Sequence, residues 1–405
     1  MNLKAAIIRG SNMNPFEMQS YAPLRSQIDI TGYASYANNF ETEGIRFPVK
    51  RLHTFEEYYR FLPSVAKGVA YGLSLPRGMN GKMFGLEKEL EDKDILHAAE
   101  TSNGYSYQAA RVKKEKNKKL VLTVWENIPF LSTKLFMGCE SMPGPLKPFC
   151  KKMTKNGHIV KYVKDNTDIF IAVTERAKQA LIIEGVPEDK IRTIPVGVDT
   201  ERFKPADADP ALIERFGLSD NGFNVLFMGR LVKEKGIYDL LYAAKLLSLD
   251  VETRNIKILI AGSGPEKDNM AKIIKDLAID RQVSLIGSFS YEQVPKLYNV
   301  SDAFILPSIT APWWQEQFGM VLVEAMASRL PVISTLSGSI PEVLGDGGIL
   351  IQPDDPFSIY REIKNIMTDK AYRERLKFSA RERAVEEFSI NKISKMIGSV
   401  YSELM

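Results

Sequence analysis

Cysteine is nearly absent from this chain: Cys139 and Cys150 are the only two in 405 residues. That excludes a disulfide framework and a cysteine-built metal cluster. It suits free thiols in a reducing compartment. Histidine is almost as scarce, and His53, His97 and His158 are too scattered for a zinc site. The longest apolar runs are five to eight residues, far short of the roughly 18 that span a bilayer. The opening stretch MNLKAAIIRG is too short in its apolar part for a signal peptide and has no small-residue cleavage site. It reads as a first buried strand, and the expected location is cytoplasmic.

What is present describes a globular protein. Hydrophobic residues make up 44% and charged residues 26%, and the length suits two or three domains. The net charge of +4 is unevenly placed: residues 111–164 carry 13 basic and 3 acidic side chains. Such a stretch is either a solvated face or one drawn to an anionic surface, a membrane leaflet or a phosphate-bearing acceptor. No motif for nucleic acid accompanies it.

Along the chain short apolar strands alternate with amphipathic helices. KAAIIRG (4–10), KDILHAA (93–99), KLVLTVW (119–125), DIFIAVT (168–174) and KIRTIPV (190–196) read as strands. Continuous apolar runs of this kind suit parallel strands covered on both faces. ERAKQALIIEG (175–185) is a helix closed by Gly185. RFKPADADP (202–210) is polar with two prolines and reads as a linker. The rhythm then restarts, with strands at FNVLFMG (223–229), NIKILIAG (255–262), VSLIG (283–287), DAFILPS (302–308), PVIST (331–335) and GILI (348–351). A helical tail runs from about 357 to 404. Two such arrays predict an α/β protein of two doubly wound, Rossmann-like parallel-sheet domains with a cleft between them. The expected division is 1–203 and 204–385.

Ligands in such sheets sit at the carboxyl ends of the strands, and the chemistry-bearing residues cluster there. FMGRLVKEKG (227–236) ends a strand at Gly229 and places Arg230 and Lys235 in the following loop. A guanidinium fork and an ammonium point charge together suit a pyrophosphate; two ordinary surface cations are the alternative. IAGSGPEK (260–267) is a strand followed by a turn in which Gly262 and Gly264 permit close approach of the backbone to a ligand. It lacks the third glycine of a dinucleotide fingerprint.

WWQEQFGMVLVEAM (313–326) is the most informative stretch. Glu324 is the one polar residue from Met320 to Ala327, and a carboxylate in a buried helix is costly unless partnered. Gly319 in the first turn offers free amides. Glu316 precedes Glu324 by eight residues, roughly 12 Å along a helix axis. That separation suits the two ends of an elongated polyol. A buried ion pair without a ligand is the alternative for Glu324.

In this order, Gly-Arg-x4-Lys-Gly, Gly-Ser-Gly-Pro-Glu, Glu-x7-Glu and Ser-Gly-x-Ile-Pro-Glu-Val, the motifs resemble the retaining, nucleotide-sugar-dependent glycosyltransferases of family GT4, which have the GT-B fold. The likeness is dense from roughly 165 to 360. IPVGVDTERFKP (194–205) resembles the family's domain junction, with Val196 where asparagine is usual. The resemblance implies that Arg230 and Lys235 hold the donor diphosphate and stabilise the departing nucleotide. Glu316 would meet the donor hexose near its anomeric carbon, and the amides of Phe318, Gly319 and Met320 its hydroxyls or phosphate. Glu324 would bind the ribose diol. It also implies UDP- or GDP-sugar as co-substrate and no catalytic metal; no Asp-x-Asp triplet is needed, and none is expected in this chain. The terminal helix, about 386–405, would return to the first domain.

The first half departs from the family. RGSNMN (9–14) stands where Gly-Gly is usual, leaving Gly10 as the candidate phosphate contact. Trp125 and Glu126 stand where the family has His-Asp. Glu126 would then act as base or orient an acceptor hydroxyl, and His97 would line the acceptor pocket or pack in the core. Apolar and basic residues interleave in LSTKLFMGCESMPGPLKPFCKKM (131–153). This suits either peripheral attachment at the inner face of a membrane with a lipid-linked sugar acceptor, or an ordinary helix pair. Beside hexosyl transfer to a glycan, lipid-linked or small-molecule acceptor, the alternatives are a non-catalytic nucleotide-sugar-binding partner and a GT-B-like epimerase or phosphorylase. Glu-x7-Glu speaks against the epimerase, and chain length against the phosphorylase.

Overall fold

The computed structural model describes residues 3–59, 81–131, 157–219 and 222–405. Both cysteines and most of the segment 131–153 lie outside them. The chain divides into two compact units, Met1–Val196 with Ile393–Met405, and Gly197–Lys392. The division thus falls seven residues ahead of the linker expected at 203/204, because Val198 already pairs with Phe388 and Ile390 of the second unit.

Unit 1 is built on seven strands: β1 (Leu3–Gly10), β2 (Ile28–Ser35), β3 (Val49–Leu52), β4 (Ile95–Ala99), β5 (Lys119–Val124), β6 (Ile169–Ala172) and β7 (Ile191–Thr193). Their order is β3-β2-β1-β4-β5-β6-β7, and every pairing is parallel. The period-2 alternation of a strand sorts the core into two layers. Ala6, Ile8, Leu96, Leu122 and Phe170 pack on one face of the sheet. Ala5, Ile7, Ile95, Val121 and Ile171 pack on the other, against Ile393, Ile397 and Tyr401 of the terminal helix. Among the helices of this unit are α1 (Gly104–Lys116) and α2 (Glu175–Ile183). Gly185, at φ 87°, ends α2 as its sequence predicts.

Unit 2 carries β8 (Phe223–Met228), β9 (Ile256–Ala261), β10 (Val283–Gly287), β11 (Ala303–Leu306), β12 (Val332–Thr335) and β13 (Ile349–Ile351), in the order β10-β9-β8-β11-β12-β13. Again all pairings are parallel. Its helices include α3 (Ile237–Leu249), α4 (Lys267–Asp276), α5 (Val294–Asn299), α6 (Met320–Ala327), α7 (Pro356–Thr368) and α8 (Lys370–Phe388). The last helix, α9 (Ile390–Leu404), gives residues 393 onward to unit 1. In each sheet the chain reverses direction of winding at one place: between β1 and β4, and between β8 and β11. These are the topological switch points where such folds bind ligands.

Two strands escaped the sequence pattern. In β2, Thr31, Gly32 and Ser35 interrupt the apolar run, although every residue but Asp29 is buried. β3 lies at the sheet edge and exposes Lys50 and Arg51, charges that block edge pairing.

Candidate functional site

The site of unit 2 grows from the ends of β8 and β11. After β8 the chain passes Gly229 and turns outward, leaving Arg230 exposed, with no ion pair or hydrogen bond to its side chain among the described residues. Lys235 follows in a short turn closed by Gly236. A Cβ on Gly236 would stand 1.7 Å from the carbonyl oxygen of Pro307, so only glycine lets this loop lie against the end of β11. Lys235 Nζ sits 2.5 Å from Glu316 Oε2, with side chains only 13% and 9% exposed. Ser308 Oγ, just past β11, donates to the same oxygen at 2.9 Å, and the Trp314 ring lies 4.9 Å from the ammonium.

Glu316 is held by its backbone as well. Its carbonyl accepts from Ser339 N at 2.9 Å. Gly338, at φ 56°, comes so close that a Cβ there would be 2.1 Å from that carbonyl oxygen. The loop before Glu316 is tied to the same Ser-Gly-Ser turn by a 2.9 Å bond between the Thr310 and Ser337 hydroxyls. This backbone lacing places the carboxylate without a helix beneath it. The structure therefore brings together Lys235 and Glu316, adds Ser308 and Trp314, and leaves Arg230 exposed on the loop that carries Lys235. A serine directly after a strand was a readable signal, whereas Trp314 had none.

Gly262 and Gly264 lie in the turn after β9, and the missing Cβ of each faces protein. One on Gly262 would be 1.9 Å from Gly229 O, and one on Gly264 2.3 Å from Leu231 O. These glycines pack the second turn against the backbone that carries Arg230. Phe318 is buried edge-on to Phe388 at 5.9 Å. Gly319 caps α6 at φ 82°, and Met320 begins the helix half-exposed.

Glu324 is 3% exposed and is partnered by tyrosines. Tyr298 of α5 donates to its Oε2 at 3.0 Å. Burial pushes the carboxyl up to about 7, against the opposing pull of Tyr298, Tyr291 and Arg202. Arg202 in turn lies 4.4 Å over the Tyr291 ring and donates to Tyr291 O at 2.7 Å. None of these three residues was legible as functional: Tyr298 in a helix reads as core, Tyr291 as a turn residue and Arg202 as part of a polar linker.

The remaining candidates stand at the strand ends of unit 1. His97, in β4, is 2% exposed. Its Nδ1 bonds the Tyr401 hydroxyl at 2.6 Å and its Nε2 that of Thr123 at 2.7 Å. Burial, then the charge of Arg9, holds the imidazole at about 3, so it is neutral. Glu126 is half-buried and accepts from Ile128 N at 3.0 Å; burial raises its carboxyl above the ordinary range. The Trp125 amide donates to Glu100 Oε1 at 2.7 Å. Sequence reading passed over Glu100, which takes a left-handed φ of 62° at the end of β4 and is pushed up to about 7, chiefly by burial. Gly10, at φ 54°, lies where a Cβ would be 2.8 Å from the Tyr105 ring.

Two Asp-x-Asp triplets do occur, contrary to expectation. Asp92 pairs with Lys4 and Lys93 while Asp94 accepts from Lys4 N. Asp209 caps a helix and pairs with Lys296. In the basic stretch, Lys113 pairs with Asp168 and Lys116 with Glu91. Among the described residues no helix is long and apolar enough to cross a membrane.

Parallel doubly wound sheets with polar clusters at their switch points define a class of nucleotide- and sugar-handling folds. Comparison with known proteins narrows it. Residues 209–383 match the family model "Glycosyl transferases group 1" and residues 43–202 match "Glycosyltransferase Family 4". An uncharacterized glycosyltransferase of Methanocaldococcus jannaschii is 30% identical over 258 residues, 61% of this chain and 63% of its own. A D-inositol 3-phosphate glycosyltransferase of Streptomyces bingchenggensis is 31% identical over 248 residues, 59% of this chain and 53% of its own. The match thus spans less than two thirds of the length of either relative. Anabaena HepE in complex with UDP-glucose superposes with a TM-score of 0.72 at 18% identity, covering 99% of this chain and 100% of that one. WaaG, a glycosyltransferase involved in lipopolysaccharide biosynthesis, does so with 0.68 at 13% identity, covering 97% and 99%. The chain belongs to the GT4-type glycosyltransferases and has the GT-B fold.

Proposed function

We propose that this chain transfers a hexose from a nucleoside diphosphate sugar to an acceptor hydroxyl, with retention at the anomeric carbon. The observation that carries this reading is the buried Lys235–Glu316 pair at the switch point of unit 2, on a loop that also exposes Arg230, unpartnered among the described residues. In the reaction the bond from the anomeric carbon to the β-phosphate oxygen breaks and one to the acceptor oxygen forms. The hydroxyl proton leaves to the departing phosphate, which on a retaining path lies on the same face. Charge grows on the leaving diphosphate, and Arg230 and Lys235 are fixed cations that meet it without reorganising. Glu316, oriented by Lys235 and Ser308, holds the hexose. The amides of Gly319 and Met320 at the start of α6 add donors, so the reading needs no metal.

Glu324 takes the ribose diol. Tyr298 occupies one of its oxygens, and in the ionised form the other accepts from a hydroxyl. UDP-sugars are the first donors to try, since HepE, which shares the fold, was solved with UDP and with UDP-glucose; GDP-sugars are the second. Glu126 orients the acceptor, a glycan or lipid-linked sugar. The basic segment 111–164 attaches the protein to an anionic membrane face. Failure to float with anionic vesicles at any salt concentration would remove that attachment. The transfer itself is tested with labelled UDP- and GDP-sugars: turnover, by hydrolysis or transfer, supports it, and stoichiometric binding without turnover replaces it by a binding role.

A further inference from the structure

Unit 1 has a switch point of its own, and a cavity of about 30 Å³ lies there. A water needs roughly 10–15 Å³ of such volume, so the space takes a group of two or three heavy atoms and not a sugar ring. Its polar wall comes from Arg9 at the end of β1, Glu17, Tyr21 and Thr123; Ile171 and Ile397 form part of an apolar wall. Arg9 stands where the family usually has glycine. It is only 8% exposed, and one guanidinium nitrogen pairs with Glu17. Its Nε is buried with no hydrogen-bond partner among the described residues. A buried N–H of this kind is costly unless something accepts from it.

The charges select the guest. Arg9 is already matched by Glu17, the Glu100 carboxyl also lies in its field, and His97 has both ring nitrogens engaged. An anion would meet the Glu17 carboxylate and no uncompensated cation; a cation would meet the guanidinium. A neutral hydroxyl suits these walls, since it can accept from a guanidinium N–H and donate to the Glu17 carboxylate while its carbon meets Ile171 and Ile397.

We propose that this cavity binds an uncharged hydroxymethyl arm, so that the acceptor of the transfer presents the exocyclic carbon of a neutral hexose at unit 1. The inference rests on the glycosyltransferase reading and specifies its acceptor. It predicts that anionic small molecules of the inositol phosphate type are poor ligands.

The test is calorimetric titration of the full chain with the methyl α-glycosides of glucose, mannose and galactose, each beside its pentose counterpart lacking the hydroxymethyl group. Myo-inositol 1-phosphate is the anionic arm of the same experiment. The expected result is that at least one hexoside binds and its pentoside binds about tenfold more weakly or worse, the effect of losing a hydrogen bond to a charged group. Ile397→Trp, which fills the cavity and leaves the Arg9–Glu17 pair in place, abolishes the difference, and Arg9→Lys weakens the hexoside similarly. UDP-glucose titrated into each variant shows whether unit 2 is intact. Equal hexoside and pentoside binding, no hexoside binding, or preference for the phosphate overturns the proposal. Loss of nucleotide-sugar binding by the unaltered protein overturns the parent reading instead.

Discussion

The two units solve the same folding problem and leave opposite electrostatics at their strand ends. In unit 2, Arg230 has no side-chain partner among the described residues, and the carboxylate of the buried Lys235–Glu316 pair is supported by a serine. In unit 1, Arg9 is paired with Glu17 and the histidine is neutral. An anion is therefore welcome at one switch point and not at the other. Shared architecture fixes where a ligand sits; the residue that follows each strand decides what kind.

The sharpest way to break this contrast is at Arg230 and Glu316. Arg230→Ala removes an exposed cation, and transfer should fall by about 10²–10³, the loss typical of one fixed transition-state donor, with an unchanged melting temperature. Glu316→Gln keeps the shape and should lose a similar factor. Lys235→Ala is the poorer probe, since it takes the cation from a buried Glu316 carboxylate and leaves it only neutral donors such as Ser308, a change that costs about 3–5 kcal/mol. In unit 1, Glu126→Gln should reduce kcat by only about tenfold, short of the roughly 10²–10⁴ expected for a general base. A loss of that larger size would give unit 1 a proton-transfer role and erase the contrast.

Next in size is backbone lacing. Gly262→Ala forces a methyl into the Gly229 carbonyl, 1.9 Å away, and should destabilise by about 3 kcal/mol, read as a lowered urea midpoint. Gly229→Ala meets only ordinary contacts at 3.5 Å and should be nearly neutral for stability.

The smallest effects sharpen the comparison through pH. The folded pKa of Glu324 is raised from 4.5 to about 7. The folded state then holds an extra proton over that window, and this stabilising contribution is lost as pH rises through about 7. Nucleotide affinity should rise over the same range as the carboxylate becomes able to accept from a diol. His97 is lowered from 6.5 to about 3, so the unfolded state takes the extra proton and stability is lost as pH falls below 6.5. Chemical denaturation of Glu324→Gln and His97→Gln against the unaltered protein should flatten these two slopes, which have opposite sign.

Much of this was legible in the sequence where one residue type had one explanation. A lone glutamate in the apolar run 320–327, and cations directly after a strand, pointed to the unit 2 site. β2 was not legible, because its burial comes from neighbouring strands and not from its own composition. The tyrosine partners of Glu324 were hidden for a similar reason: α5 and α6 are adjacent only in space. The glycines show a different limit. Gly262 and Gly264 signalled a close approach to a ligand, but the group that each missing Cβ faces is the protein's own carbonyl, which no spacing rule reveals.

The most direct measurement is calorimetric titration of UDP-glucose and GDP-mannose into the full chain and into Arg230→Ala. The account predicts saturable one-to-one binding of at least one of them, weakened about tenfold or more by the substitution. Binding of neither, or equal binding by both proteins, would contradict it.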